Sequence, residues 1–246
     1  MSKTSNITRS STWKLGLVHI LPISCLLFFS LPAAASALAA SDHASQETQP
    51  AAPWQVWREN EHARVRYRPA TGTSLIEISA SLKVSSTLSG FLLFLQDYTN
   101  IPNWLANASS ARLLTQVSPR ENIFMTRFDG FWPVKAREMF IHSTYRQNPD
   151  LSVEIAVFDA ADKIDNASGA IRIKIIKGHW QLRPTTNRQL NIHYSLIASP
   201  EGKLPLWLAN KLSLRAMWQT LQALHKQLPS SPWQQKRLPG IIEHMP

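Results

Sequence analysis

The stretch from Leu204 to Leu228 constrains this chain more than any other. Pro205 suits a first helical turn, where a missing N–H costs nothing, and Pro229 stops the run. Between them Leu206, Asn210, Leu214, Met217, Leu221, Leu224 and Leu228 recur at spacings of three or four, which places them on one helical face. Trp207 and Trp218 flank that face, and Lys211, Arg215, Gln219, Gln222 and Lys226 fall opposite. A helix of roughly 24 residues is about 36 Å long, enough to cover a small domain. Because the preceding segments read as short strands, the helix is expected to close over a sheet as its lid. The plain alternative, a core helix with no ligand beneath it, satisfies the same seam. Asn210 is the polar exception on the apolar face and needs a buried partner or a polar group on a guest.

The strand signals are alternations of apolar and polar residues over 63–68 and 75–84, separated by a turn over 69–74. Residues 54–60 read as a short amphipathic lead-in. Leu88, Phe91, Leu92, Leu95 and Tyr98 then repeat at helical spacing, and Ile101-Pro102-Asn103-Trp104 follows as a bend with an aromatic anchor. Six further strands are expected over 111–117, 122–128, 137–145, 152–158, 170–176 and 190–197. Two strands, a helix, six strands and a long helix make an α+β domain, an antiparallel sheet with helices packed on one face.

Residues 1–39 stand apart. Lys3, Arg9 and Lys14 precede an apolar run over 15–31, broken by His19 and Pro22, and Ala33 to Ala40 offers small-residue cleavage sites. This is the pattern of a secretory signal peptide, with cleavage expected after Ala37 or Ala39. A linker over 40–53, a domain over 54–228 and a flexible tail over 229–246 complete the expected organisation. Cys25, the sole cysteine, lies in the leader, so the mature chain has no thiol for disulfides, catalysis or metal binding. Export without disulfides fits a bacterial periplasm. The formal charge of +10 falls to +7 once the three leader cations are removed. An exported basic protein is expected to meet anionic lipid headgroups rather than nucleic acid, and no dense Arg/Lys run suggests a DNA-reading element.

Catalytic signatures are absent: there is no G-x-S-x-G elbow, no H-E-x-x-H, no phosphate loop and no dinucleotide fingerprint. The histidines of the 54–228 domain (His62, His142, His179, His193 and His225) are scattered. His179 and His193 sit on strands that might pair, with too few further ligands for zinc. Asp129, Arg137 and Glu138 gather around a Trp-Pro turn as candidates for a buried ion pair or for acid–base work.

Phe131-Trp132-Pro133-Val134-Lys135-Ala136-Arg137-Glu138 resembles the Trp-Pro-x-x-x-Arg-Asp element of START domains, the lipid-transfer modules related to steroidogenic acute regulatory protein. Asp97, Pro102 and Trp104 resemble the family's D…P-x-W segment, and Gly178-His179-Trp180 through Pro184 its G-x-W-x-x-x-P strand. Residues 199–205 with Trp207 and Asn210 resemble the D-P-G-G-x-I-P…W…N lead into the last helix. The resemblance covers about 54–228. Glu138 stands for the usual Asp, and Ser199-Pro200-Glu201-Gly202 for Asp-Pro-Gly-Gly.

The resemblance implies a helix-grip fold, a curved antiparallel sheet wrapped around the long C-terminal helix with an apolar tunnel between them. It implies a lipid or other hydrophobic ligand and no cofactor. Burying a lipid tail there would be favourable by about 25 cal/mol per Å². Leu214, Met217 and Leu221 are expected as wall or lid, Asn210 and Arg137 as polar contacts, and Trp132, Trp180 and Trp207 as lining. Arg137 reads first as a structural ion-pair partner and only second as a ligand contact, and Trp180 reads equally as plain core. The leading expectation is a non-enzymatic, monomeric periplasmic lipid binder or transfer protein that touches anionic membranes. The alternatives are a helix-grip cyclase or hydrolase, with Asp129, Arg137, Glu138 and His193 as acids and bases, and a ligand sensor or envelope scaffold.

Overall fold

Alternating residues dominate 54–199, and in the computed structural model they form a single sheet; the structure describes residues 51–130, 134–164 and 168–244. The strands are β1 (Gln55–Glu59), β2 (Ala63–Pro69), β3 (Ile76–Ser85), β4 (Ala108–Ser118), β5 (Glu121–Phe128), β6 (Arg137–Gln147), β7 (Val153–Asp159), β8 (Ile171–Thr185) and β9 (Gln189–Ser199). Their order is β1-β2-β3-β9-β8-β7-β6-β5-β4, with every neighbour antiparallel. After β3 the chain crosses through helices α1 (Leu88–Gln96) and α2 (Ile101–Trp104) to the far edge. It then returns strand by strand until β9 pairs with β3. The lead-in over 54–60 is therefore a strand: β1 adds itself to the outer edge of β2, a pairing that its own short pattern does not announce.

The sheet curves as a helix-grip sheet does. Register shifts interrupt β1, β4 and β8, and such bulges bend a strand and raise its twist. β7 stops at Asp159, whose carboxylate accepts from the backbone of Ala161 and Ile175. Beyond that point β8 runs directly against β6 in a short parallel contact of residues 171–173 with 137–139. Gly178 sits where β8 crosses close to β7, and a Cβ there would lie 2.8 Å from that of Val157.

Helix α3 (Leu206–Gln227) packs across β2 and β3 on the inner face. Its buried seam is Ala209, Leu214, Met217, Thr220, Leu221 and Leu224. Of these, Leu214, Met217, Leu221 and Leu224 join Val65, Ile78, Leu82, Leu182 and Ile192 of the sheet in the main core. Each large side chain fully buried there contributes about 1.5–3 kcal/mol.

The tail over 229–246 was expected to be flexible, but up to residue 244 it packs onto α1. Trp233, Leu238 and Ile241 lie against the core, and the Trp233 indole donates to Asp97 at 3.1 Å. Helix α1 is apolar on nearly every side, so it needs a cover beyond the sheet. Its first turn shows how the tail supplies one. Thr87 Oγ1 accepts from Gly90 N, Gln234 Oε1 from Thr87 N, and the Glu243 carboxylate from Leu88 N and Ser89 N. Every backbone donor of that turn is satisfied, two of them by an anion placed at the positive end of the helix. The leader, residues 1–39, and most of the 40–53 linker lie outside the described residues.

Candidate functional site

Beneath the middle of α3 the inner face of the sheet encloses a cavity of about 260 Å³. Its walls come from α1 (Leu92, Leu95), β5 and β6 (Phe124, Ile141), β7 (Ile155), β8 and β9 (Trp180, Tyr194) and α3 (Met217, Leu221). A second cavity of about 380 Å³ adjoins it toward the start of α3 and shares Phe128, Leu196, Ala198, Ser213 and Ala216 as walls. The first is the apolar chamber. Among the described residues lining it, none carries a carboxylate, imidazole, ammonium or guanidinium group. The second is a charged chamber, bordered by Asp129, Lys135, Arg137 and Arg215 as well as Asn210.

The expected site residues divide between several places. Trp180 stacks on Tyr194 with ring centroids 4.0 Å apart and, with Met217 and Leu221, lines the apolar chamber. Arg137 and Asn210 line the charged chamber. Arg137 is only 7% exposed; its guanidinium donates to the carbonyls of Lys135 and Pro200, and burial pulls it below its usual value. Leu214 is buried in the core and borders neither chamber, because the sheet closes against that turn of α3. Trp207 is 69% exposed and lines nothing. The first residue of α3 to be buried is Ala209, so the turn holding Leu206 and Trp207 overhangs the sheet. Trp132 lies outside the described residues.

The expected cluster of Asp129, Arg137 and Glu138 is not a unit. Consecutive strand residues point to opposite faces. Arg137 turns inward, and Glu138, 5% exposed, turns outward to meet Arg127 across the β5–β6 pair at 2.8 Å. Arg127 also reaches Asp129 at 3.5 Å, and Ser168 donates to Glu138. Arg127 is the true partner, and it went unrecognised because it lies eleven positions from Glu138 in sequence.

His193 likewise faces away from the chambers, 3.4 Å from Ser81. Its neighbours along β9, Ile192 and Tyr194, are the ones that point inward. Burial first, then Arg66 and His179, hold its imidazole below the usual value. Among the described residues no group of three metal-ligating side chains assembles.

Sequence reasoning missed the polar atoms of the apolar chamber. Tyr98 Oη, Trp104 Nε1 and Thr126 Oγ1 are buried without a hydrogen-bond partner among the described residues, and all three belong to chamber-lining residues. Leaving such a group unpaired costs about 1–3 kcal/mol. Tyr98 lies over Phe124, with ring centroids 5.2 Å apart, and burial pushes its phenol up to about 12, so it remains a donor at neutral pH. Thr126 follows Phe124 by two on the same face of β5, where a lone hydroxyl between Phe124 and Phe128 was the available signal. Deeper in the wall, Ser143 donates to Asn122 at 2.9 Å and the Tyr145 hydroxyl to Pro119 O at 3.3 Å.

No family model matches the chain. An uncharacterised protein of Pseudomonas aeruginosa is 22% identical over 171 residues, 70% of this chain and 84% of its own length. Among solved structures, the STAR-related lipid transfer protein of Xanthomonas axonopodis superposes with a TM-score of 0.66 at 26% identity, over 71% of this chain and 98% of that one. Human StAR-related lipid transfer protein 5 superposes at 0.62 with 14% identity, over 72% and 86%. That second likeness speaks for the fold alone. A nine-stranded curved sheet gripping a C-terminal helix, with a chamber between them, gives the chain the helix-grip fold of these START-related lipid transfer structures.

Proposed function

We propose that this protein binds one hydrophobic molecule between sheet and α3 and carries it between membranes without altering it. The observation that carries this reading is the apolar chamber under α3, walled by Leu92, Phe124, Ile141, Met217 and Leu221. Its size is of the order found for small-molecule sites, about 300–1,000 Å³ when the adjoining chamber is counted with it. The lipid-transfer naming of the Xanthomonas structure supports the same reading. The catalytic alternative has less behind it, since Glu138 and His193 face away from both chambers. A sensor or scaffold that holds the same ligand remains the second use of such a chamber.

Exchange is proposed to occur at an anionic membrane. Leu206 and Trp207 are exposed at the overhanging start of α3, between Lys203 and Lys211. An indole suits the headgroup level and the lysines suit anionic lipid. Opening at this end, beside the charged chamber, would admit the ligand. The leader-like pattern over 1–39 supports a bacterial periplasm as the site of this activity, and the protein is proposed to work there as a monomer.

The test uses the chain from Ala40 onward, purified gently and analysed by native mass spectrometry with organic extraction. A one-to-one lipid adduct, together with transfer between vesicles containing phosphatidylglycerol, is the expected result. Folded protein that carries no lipid and takes none up from such vesicles would overturn the proposal.

A further inference from the structure

Resting on the binding reading above, we infer that the guest is an amphiphile with an anionic head, a carboxylate or a phosphate, seated head in the charged chamber and tail in the apolar one. The charged chamber is bordered by three cations, Lys135, Arg137 and Arg215, and by one carboxylate, Asp129. That carboxylate is largely exposed and is drawn to Arg127 at 3.5 Å. Glu138, the acid next to Arg137 in sequence, turns outward and is taken by Arg127 as well. Arg137 is 7% exposed and donates Nε to Pro200 O and Nη1 to Lys135 O. Among the described residues, no carboxylate pairs with Arg137, Lys135 or Arg215.

A buried guanidinium held by carbonyl dipoles is hydrogen-bonded but not neutralised, and an anion beside it supplies the missing counter-charge. The cations come from two sides: Lys135 and Arg137 from the segment entering β6, and Arg215 from α3. Lys135 and Arg215 are exposed whereas Arg137 is buried, so positive charge runs from the solvent side of the chamber inward. The two chambers adjoin along Phe128, Leu196, Ala198, Ser213 and Ala216, which lets one molecule occupy both. The described residues lining the apolar chamber carry no ionised group, so a charged head there would lose its hydration and gain no counter-charge. Placed among Lys135, Arg137 and Arg215, the same anionic head is attracted, and a cationic head is repelled.

The experiment is displacement of Nile red from the chain beginning at Ala40, with probes that share one hexadecyl-length tail and differ in the head: hexadecanoate, hexadecyl phosphate, hexadecanol and hexadecyltrimethylammonium. At least one of the two anions is expected to displace the dye about tenfold more tightly than hexadecanol, as one charge-assisted hydrogen bond allows, with the ammonium weakest. Whichever anion binds more tightly tells a carboxylate guest from a phosphate one. Lys135→Gln and Arg215→Gln should each weaken that anion about two- to fivefold, the range for exposed charges, and leave hexadecanol unchanged. The double variant should lose most of the preference. Both side chains are exposed, so all three variants are expected to melt with the parent. Lys226→Gln removes the same charge from an exposed position that borders neither chamber, and anion binding should stay at the parental value.

Hexadecanol or the ammonium probe binding as tightly as both anions overturns the inference and leaves hydrophobic-ligand binding standing. So does an anion preference that survives the double variant, or one that Lys226→Gln reduces as much as Arg215→Gln does, since attraction to the basic surface at large would then explain it. Failure of the folded protein to bind Nile red or any of the four probes overturns the binding reading itself.

Discussion

The two faces of this sheet are written by the same strands and solve opposite problems. On the outer face several strand-borne charges pair across the strands, Arg68 and Lys177 with Glu77, Arg127 with Glu138 and Arg146 with Glu154, and the His142 imidazole lies 2.6 Å from Glu121. On the inner face, the described residues that line the apolar chamber carry no ionised group. The outer face ties these charges together across the strands, whereas the inner face presents apolar side chains to an open volume. That difference marks one as structure and the other as a binding surface, even though residues such as Arg127 and Thr126 are chain neighbours.

The comparison is broken most severely from inside. Leu221, 1% exposed, is at once chamber wall and core. Leu221→Ala should cost about 2–5 kcal/mol in denaturant unfolding, toward the lower end if the existing cavity lets neighbours relax. A loss below 1 kcal/mol would mean that the wall is not load-sharing with the core.

Next comes the outer face. Glu138→Gln removes the charge facing Arg127 and should cost about 1–2 kcal/mol, moderated because Arg127 is partly exposed. Vesicle transfer should stay at the parental rate, and a collapse of transfer in folded Glu138→Gln protein would erase the division between faces and favour the enzyme reading.

A smaller effect sharpens the same division by pH. Burial pushes the Glu77 carboxyl up, but hydrogen bonds and charge from Lys177 and Arg68 outweigh it and hold the group below the usual carboxylate range. A depressed carboxyl stabilises the fold at neutral pH, and that contribution is lost as pH falls through its folded value. Glu77→Gln should therefore be less stable than the parent by about 1 kcal/mol at pH 7, with the two curves converging in acid. Curves that stay parallel down to pH 3 would show that the triad contributes nothing.

The smallest effect lies at the edge of the inner face. Glu243→Gln weakens the carboxylate cap on α1 and should cost about 0.3–1 kcal/mol, reduced further by salt. No change in unfolding, with faster hydrogen exchange at Leu88 and Ser89 also missing, would mean that the tail's end is not seated in solution.

Much of the architecture was readable from periodicity. The long C-terminal helix, the first helix and seven of the nine strands were expected within a few residues of where they lie, because alternation and helical seams are local signals, while β8 begins as expected but runs on from 176 to 185. β1 and the docking of the tail were not, since each depends on a partner distant in sequence: β2 offers β1 its edge, and α1 offers Gln234 and Glu243 its unpaired first turn. Within the site, Trp180, Met217 and Leu221 line the apolar chamber, and Arg137 and Asn210 the charged one, where a single tunnel was expected. Trp207 was misplaced because a helical seam says which face is apolar, not how far the helix overhangs its support.

What the residues alone determine here is therefore a pattern: strands that alternate, one helix long enough to cover them, and motifs that resemble those of START domains. The tertiary structure decides which alternate residue faces the chamber and which meets a partner across the sheet. Arg137 and Glu138 differ by one position and end on opposite faces, while Arg127 and Glu138 meet across β5 and β6. Whether Tyr98, Trp104 and Thr126 are satisfied or left over depends on the curl of the sheet against α1, α2 and α3. Hydrophobic burial is non-directional and leaves its mark in local periodicity, but hydrogen-bond satisfaction depends on geometry between distant residues, and only the folded chain supplies that.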